Sequence, residues 1–252
     1  MTIPLPLSGR VALVTGGTRN IGRGLALDLA AHGASVCINS RRLDDDARLT
    51  MELIRQAGGE VLHIAADVAQ EAEVQRMVDE TVARFGSLDI LVHSAGIRRV
   101  NALQDLSFKE WREVMGTNLD AAFLCSKAAL PHMRAGLGRI VFVSGVSAFR
   151  GANQRAHVVA SKAGLVGLAR ALAIELADRQ ITVNCIAPGP IDTVRAAETG
   201  DVPHHPYGVD TLLGRKGKAS DIAAMVTLLA TDQGSFVTGQ VLHVNGGMHF
   251  GA

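Results

Sequence analysis

The feature that most constrains this chain is an alternation repeated along its length. A short apolar run is followed by a turn and then by a longer stretch with helical periodicity. Residues 10–15 form the first apolar run, which ends in Gly16-Gly17, and the periodic stretch 21–31 closes at Gly33. Continuous short apolar runs of this kind fit strands buried on both faces, which is how parallel sheets read. The pattern continues with a strand at 35–38, a helix at 44–57 closed by Gly58-Gly59, a strand at 61–65, a helix at 71–85 and a strand at 89–93. A long helical region at 107–134 and a strand at 139–143 come next. The remainder reads as a helix at 162–177, a strand at 182–186, an irregular stretch at 188–213, a helix at 220–230 and a last strand at 240–244. Seven strands alternating with six helical regions predict an α/β fold: one doubly wound, seven-stranded parallel sheet flanked by helices.

No linker rich in Pro, Gly or Ser, no repeat and no low-complexity tract interrupts the pattern, so residues 1–252 are expected to form a single domain. The stretch 191–213 is longer than such connections usually are and carries Asp192, Asp201, His204, His205 and Tyr207. It is expected to cover a substrate. It holds no cluster of Arg or Lys, and so offers nothing for a phosphorylated or polyacidic ligand. Across the chain, 25 Lys and Arg against 24 Asp and Glu leave a net charge of +1, so neither nucleic acid nor an anionic membrane is an expected partner. Cys37, Cys125 and Cys185 are far apart, and the adjacent His204-His205 pair has no carboxylate pattern beside it. Neither a disulfide scaffold nor a metal site is expected, and a reducing compartment fits. No apolar run approaches eighteen residues and residues 1–10 contain two prolines, so a cytoplasmic location is the expectation.

The first turn reads Thr15-Gly16-Gly17-Thr18-Arg19-Asn20-Ile21-Gly22. It sits at a helix N-terminus, where free N–H groups and the helix dipole attract a pyrophosphate. Glycine also serves there simply to let helix and strand pack closely, and the turn alone leaves both readings open. At the end of the second strand stand Ser40, Arg41 and Arg42, where an acid on the ribose 2′-OH would favour NAD. A guanidinium beside the 2′ position suits a phosphate, and Arg19 can add a second contact. NADP(H) is therefore expected in preference to NAD(H), the alternative being that these arginines are solvated charges ahead of a helix.

The order Thr-Gly-x-x-x-Gly-x-Gly in this place resembles the short-chain dehydrogenase/reductase family, and the resemblance runs from about Ser8 to Met248. The further matching pieces are Asp67-Val68 after the third strand, His93-Ser94-Ala95-Gly96, Asn118 in Thr117-Asn118-Leu119, Pro188-Gly189 after a strand, and the stretch from Gly239-Gln240 to Gly246-Gly247. The resemblance implies a Rossmann-type fold in which the Gly16 turn, with Thr18, Ile21 and Gly22, cradles pyrophosphate. It also implies that Asp67 and Val68 flank adenine, that Ser94, Ala95 and Gly96 line the cofactor, and that Pro188, Gly189, Ile191 and Thr193 meet the nicotinamide. Asp67 has a plainer alternative as a helix cap, and Pro188-Gly189 as a strand terminator. Asn20 stands where the family usually has its middle glycine, and Asn accepts positive φ better than other side chains do. A homotetramer is also implied, built from the last helix, the C-terminal strand and helices on the flank of the sheet.

Members of this family exchange hydride and proton through a Ser, a Tyr and a Lys four residues after the Tyr, with an Asn supporting a water chain. The resemblance places Lys162 and Asn118 in those roles, but the Tyr position falls on Val158 and the Ser position on Gly145. Those two are thirteen residues apart, the spacing expected of the pair. Ser144 and His157 stand one place earlier each and are candidate substitutes, although one step along a strand or helix turns a side chain away. The plainer reading of His157 is an exposed or capping residue. Tyr207, the only tyrosine, is a candidate that reaches the cleft when its loop closes, or else a loop aromatic packed on the core. The expected activity is hydride transfer to a C=N, an activated C=C or a carbonyl of a small molecule. The alternatives are a non-redox enzyme of isomerase, cyclase, lyase or hydratase type, or a catalytically silent subunit.

Overall fold

The computed structural model describes residues 4–193 and 211–251. Its strands are β1 (Val11–Thr15), β2 (Ser35–Ser40), β3 (Val61–Ala65), β4 (Ile90–His93), β5 (Arg139–Val143), β6 (Thr182–Pro188) and β7 (Val241–Val244). They form one sheet in the order β3-β2-β1-β4-β5-β6-β7, and every adjacent pair is parallel. This is the Rossmann-type architecture expected from the alternation. Strand periodicity divides β1 between two cores: Val11 and Leu13 face one side, Ala12 and Val14 the other. On the first side lie α3 (Glu71–Phe85), α5 (Ala121–Ala129) and α7 (Ala156–Glu175), which contribute Met77, Cys125 and Leu165. On the second lie α1 (Asn20–Ala31), α2 (Asp45–Gln56) and α8 (Ala219–Ala230), which contribute Leu25, Ile54 and Val226.

The helices depart from the expected pattern in three places. The long helical region is broken: α4 (Phe108–Met115) passes through a π-helical turn, Gly116–Asp120, before continuing as α5. A short helix, α6 (Ser147–Arg150), follows β5, and α7 begins at Ala156, six residues earlier than expected. By length and composition α7 is apolar enough to cross a bilayer, but Leu165, Val166 and Ala169 are buried against the sheet, as in the core helix of a globular fold.

At the amino-terminal end of the sheet, one carboxylate is tied down by several donors. Asp89 is fully buried and accepts from Val11 N at 3.0 Å, from Ser87 Oγ at 3.1 Å and from the Arg134 guanidinium at 2.6 and 2.7 Å. Its carboxylate holds the Arg134 pKa above the usual value. Arg139 is buried beside it and donates to the carbonyls of Gly136 and Gly138, while Arg10 pairs with Asp232. These contacts join the starts of β1, β4 and β5.

Candidate active site

The opposite, carboxyl end of the sheet carries the residues singled out above. Strand order reverses between β1 and β4, the crevice where open α/β sheets take up ligands. Gly16 there has φ +63°, and a Cβ on it would lie 2.9 Å from Ala95 Cα, so two loops meet with no room for a side chain. A Cβ on Gly22 would lie 2.0 Å from Gly16 O, so the first turn of α1 and the glycine loop fit together only without one. Asn20 adopts φ 52°, the left-handed conformation that the family's glycine would take. Arg19, the N-cap of α1, supplies no side-chain cap to the first turn.

Thr15 locks the loop after β4. Its Oγ1 accepts from Ser94 N at 3.1 Å and Ala95 N at 3.2 Å, and lies 3.0 Å from His93 Nδ1. With two N–H groups already donating, the hydroxyl proton is directed to Nδ1, which places the imidazole proton on Nε2. Burial, with the nearby Lys162 charge as a second cause, pushes the His93 pKa down to about 3, so the ring is neutral.

At the β2 end, the Asn39 amide bridges the carbonyls of Ile64 and Ala66. Ser40 Oγ donates to Arg42 O at 2.7 Å and lies 2.8 Å from His63 Nε2. Its hydroxyl therefore braces the turn that presents Arg41 and Arg42. Arg19, Arg41 and Arg42 are all exposed at this edge. Asp67 is not the cap of α3, a role taken by Gln70; its Oδ1 accepts from Ala69 N at 3.0 Å, shaping the bend beside buried Val68.

Asn118 sits in the π turn, where an extra residue per turn rotates it out of the α-helical phase. Its Oδ1 accepts from Ile97 N at 2.7 Å, and its Nδ2 donates to Ile97 O at 3.1 Å and Ser161 Oγ at 3.0 Å. Lys162 Nζ donates to Val143 O at 2.6 Å. A Cβ on Gly96 would be 3.4 Å from Asn118 Oδ1 and 3.5 Å from Lys162 Nζ, so both polar heads border the same bare backbone. Desolvation, and secondarily the Arg98 charge, brings the Lys162 pKa down to about 7.

Val158 lies one helical turn before Lys162, is buried, and shares with Ser144, Gly145, Pro188 and Gly189 the lining of a cavity of about 70 Å³. Gly145 has ordinary space around it, since a Cβ there would come no closer than 3.7 Å to Ser147 Oγ. Ser144 reaches the cavity, but its hydroxyl donates to Lys162 O at 2.8 Å. His157 does not line the cavity. It is neither exposed nor a cap: it lies fully buried in α7 with Nε2 3.3 Å from Glu110 Oε1 of α4, and burial lowers its pKa. The step of one residue turns it from the cleft to the α4 interface.

Pro188 extends β6 beyond the expected end. Its carbonyl accepts from Val146 N at 2.9 Å, and Gly189 N donates to Val244 O at 3.1 Å. Ile191 forms a parallel bridge to Gly217, and Thr193 Oγ1 lies 3.5 Å from Ile191 O. Asp201, His204, His205 and Tyr207 lie outside the described residues, as does the stretch 194–210. Arg98, Arg150 and Arg155, unnoticed in the sequence, line the same cavity as Val158 and Lys162. They are scattered over more than fifty positions, and no spacing rule links them.

The fold and this crevice define a doubly wound dinucleotide-binding α/β protein. The chain belongs, within that class, to the short-chain dehydrogenase/reductase family of oxidoreductases. The family model described as enoyl-(acyl carrier protein) reductase matches residues 16–249. The 3-oxoacyl-[acyl-carrier-protein] reductase FabG of Staphylococcus aureus N315 is 42% identical over 239 residues, covering 94% of this chain and 97% of the relative. The protein of the same name from Escherichia coli K12 is 38% identical over 242 residues, covering 96% and 98%. A short-chain dehydrogenase from Burkholderia cenocepacia J2315 solved in complex with NADP superposes with a TM-score of 0.90 at 36% identity, covering 96% of this chain and 98% of that one. A blue fluorescent protein from a metagenomic library, solved with NADPH, gives 0.88 at 34% identity over the same shares.

Proposed function

We propose that this protein is an NADP(H)-dependent oxidoreductase that prefers NADP(H) to NAD(H) and works from a non-standard active site. In that site Val158 and Gly145 stand where the family has its Tyr and Ser, and the acceptor is a C=N, an activated C=C or a carbonyl of a small molecule. The observation that carries the reading is the combination of a complete cofactor cradle with a bare proton-transfer position. Gly16 and Gly22 keep the turn at the start of α1 free of side chains, as close approach of a pyrophosphate requires, whereas one turn before buried Lys162 stands an alkyl side chain.

The residues fit the dinucleotide. In this reading the turn from Gly16 to Gly22, with Thr18 and Ile21, binds pyrophosphate, and Arg19, Arg41 and Arg42 hold the 2′-phosphate on the turn that Ser40 braces. Asp67 and Val68 border adenine, Ser94, Ala95 and Gly96 the ribose side, and Pro188, Gly189, Ile191 and Thr193 the nicotinamide edge. When bound, the cofactor supplies the hydride. Lys162 orients the nicotinamide ribose, and Asn118 fixes the Ile97 backbone beside it.

Proton delivery decides the acceptor. Reducing a neutral ketone calls for a positioned acid, worth about 10²–10⁴ in rate. Val158 has no exchangeable proton, Ser144 is committed to Lys162 O, and His157 faces Glu110. A cationic C=N requires no proton at that step, and an activated C=C takes its proton at carbon from water. The reading thus favours these acceptors over the 3-oxoacyl thioesters named for the FabG relatives. We also propose one domain closed by the 191–213 loop, a cytoplasmic location, and a homotetramer whose contacts include Phe123 on α5 and Leu228 on α8, both exposed in the single chain.

The test is a titration of purified protein with NADPH and NADH, followed by nucleotide fluorescence and thermal shift, with a screen of imines, enones and ketones at saturating cofactor. The expected result is tighter binding of NADPH and turnover of an imine or enone. Absence of binding by either nucleotide refutes the reading and favours a non-redox use of the cleft.

A further inference from the structure

Strand β3 carries a polar ring among apolar neighbours. His63 stands opposite Ile38 in the parallel register of β2 and β3, so its side chain points to the same face of the sheet, the one that packs on α1 and α2. Ser40, two residues beyond Ile38, points there as well, and its Oγ lies 2.8 Å from His63 Nε2.

A second contact fixes the direction of that hydrogen bond. Ser40 Oγ is 2.7 Å from Arg42 O, and a carbonyl oxygen only accepts, so the one hydroxyl proton is engaged there. His63 must then supply the proton of the Ser40 contact, which places the imidazole hydrogen on Nε2. Burial holds the His63 pKa below its ordinary value against the opposing pull of the Asp44 carboxylate, so the ring is neutral. The chain of donors runs from His63 Nε2–H to Ser40 Oγ, and from Ser40 Oγ–H to Arg42 O. Asp44 N donates to the same carbonyl at 3.1 Å, and Asp44 Oδ1 caps α2 by accepting from Ala47 N at 2.9 Å. The turn bearing Arg41 and Arg42 is thus strung between the inner side of β3 and the first turn of α2. Each hydrogen bond in such a chain polarises the next, so removing the first donor loosens the whole.

We infer that His63 is a positioning residue for cofactor choice: through Ser40 it holds the turn between β2 and α2 in the conformation that reads the 2′-phosphate of NADP(H). The inference rests on the proposed assignment of Arg41 and Arg42 to that phosphate. His63 acts behind Ser40, at one remove from the nucleotide. Because the 2′-phosphate is what distinguishes the two nucleotides, a loosened turn weakens NADPH and leaves NADH unaffected.

The experiment is fluorescence titration with NADPH and NADH of the unaltered protein, His63→Leu, His63→Gln, Ser40→Ala and the double variant Ser40→Ala with His63→Leu. His63→Leu removes the donor and is expected to weaken NADPH by about fivefold with NADH unchanged. Glutamine carries an amide N–H near the place of Nε2, so His63→Gln should recover most of the loss. In the Ser40→Ala background, His63→Leu should lower the ratio of NADPH to NADH affinity no further, because the two side chains act as one unit.

Equal weakening of both nucleotides by His63→Leu overturns the inference, since it marks the ring as mere support for the fold. An unmoved ratio, a glutamine variant as impaired as the leucine one, or additive losses in the double variant overturns it too. Should His63→Leu fail to fold, nitrogen NMR of the unaltered protein decides. The His63 signals are expected to report hydrogen on Nε2 and to move with NADPH but not with NADH, and the other tautomer or an equal response refutes the chain. Binding of neither nucleotide by the unaltered protein sinks the redox reading and this inference together, whereas an NADPH preference that His63→Leu leaves untouched sinks this inference alone.

Discussion

At the amino-terminal end of the sheet, Asp89 is buried with both oxygens engaged by a backbone N–H, a hydroxyl and a bidentate guanidinium. At the carboxyl end, Lys162 is buried to a similar degree, yet its ammonium donates to the Val143 carbonyl, and among the described residues the same cavity is lined by Arg98, Arg150 and Arg155. A carboxylate with both oxygens engaged pins strands together, whereas a buried ammonium with a single carbonyl acceptor is costly to keep charged. Asp89 thus ties strand starts together, while Lys162 stands beside the crevice at the other end of the same sheet.

The sharpest way to break the contrast is to give the carboxyl end the hydroxyls it lacks. Val158→Tyr with Gly145→Ser should raise NADPH-dependent ketone reduction by about 10²–10⁴. Steady-state assay with a small ketone checks this, and no gain means that the cleft does not present a carbonyl to the nicotinamide. Next comes Asp89→Ala, which strips Val11 N and Arg134 of their acceptor and should lower unfolding free energy by about 3 kcal/mol. NADPH affinity should stay unchanged, as read by urea denaturation and fluorescence titration. A matching loss of affinity would show that the two ends are not separable.

The Lys162 ammonium gives a subtler effect with a definite sign. Its folded pKa of about 7 lies below the unfolded value of 10.5, so the unfolded chain binds more protons between those limits and stability rises with pH there. The penalty is full below pH 7. Relative to Lys162→Met, the unaltered protein should gain stability as pH rises from 7 toward 10, on the order of a few kcal/mol. Parallel stability curves for the two proteins would mean that the ammonium is not desolvated. The smallest expected change is at the exposed edge: Arg41→Glu should cost NADPH about tenfold in affinity and leave NADH binding the same or tighter. Unchanged discrimination would make Arg41 a solvated charge.

The sheet and its helices were legible because burial imposes periodicity. β3, β5 and α3 begin and end where the pattern predicted, at Val61–Ala65, Arg139–Val143 and Glu71–Phe85. The start of α7 was not, because residues 156–161 mix Ala, Val, His and Ser without an amphipathic stripe. The glycine turn and the left-handed Asn20 could be anticipated because backbone sterics act on neighbouring residues. Neither the π turn nor the arginine-lined wall had a local signal. Arg98, Arg150 and Arg155 are brought together only by the order of β4 and β5 in the sheet and by the loops after those strands. His157 illustrates the limit of counting: its distance from Ser144 suggested a pair, and the helix phase turned it toward Glu110.

The π turn at Gly116–Asp120 adds one surplus residue to an otherwise continuous helix. Removing a single codon within 116–120 would let α4 and α5 close into one regular helix, a change that favours thermal stability. It would also swing Asn118 by about 100° away from Ile97 and Ser161. Selection for a sturdier protein and selection for a working one would pull on that codon in opposite directions.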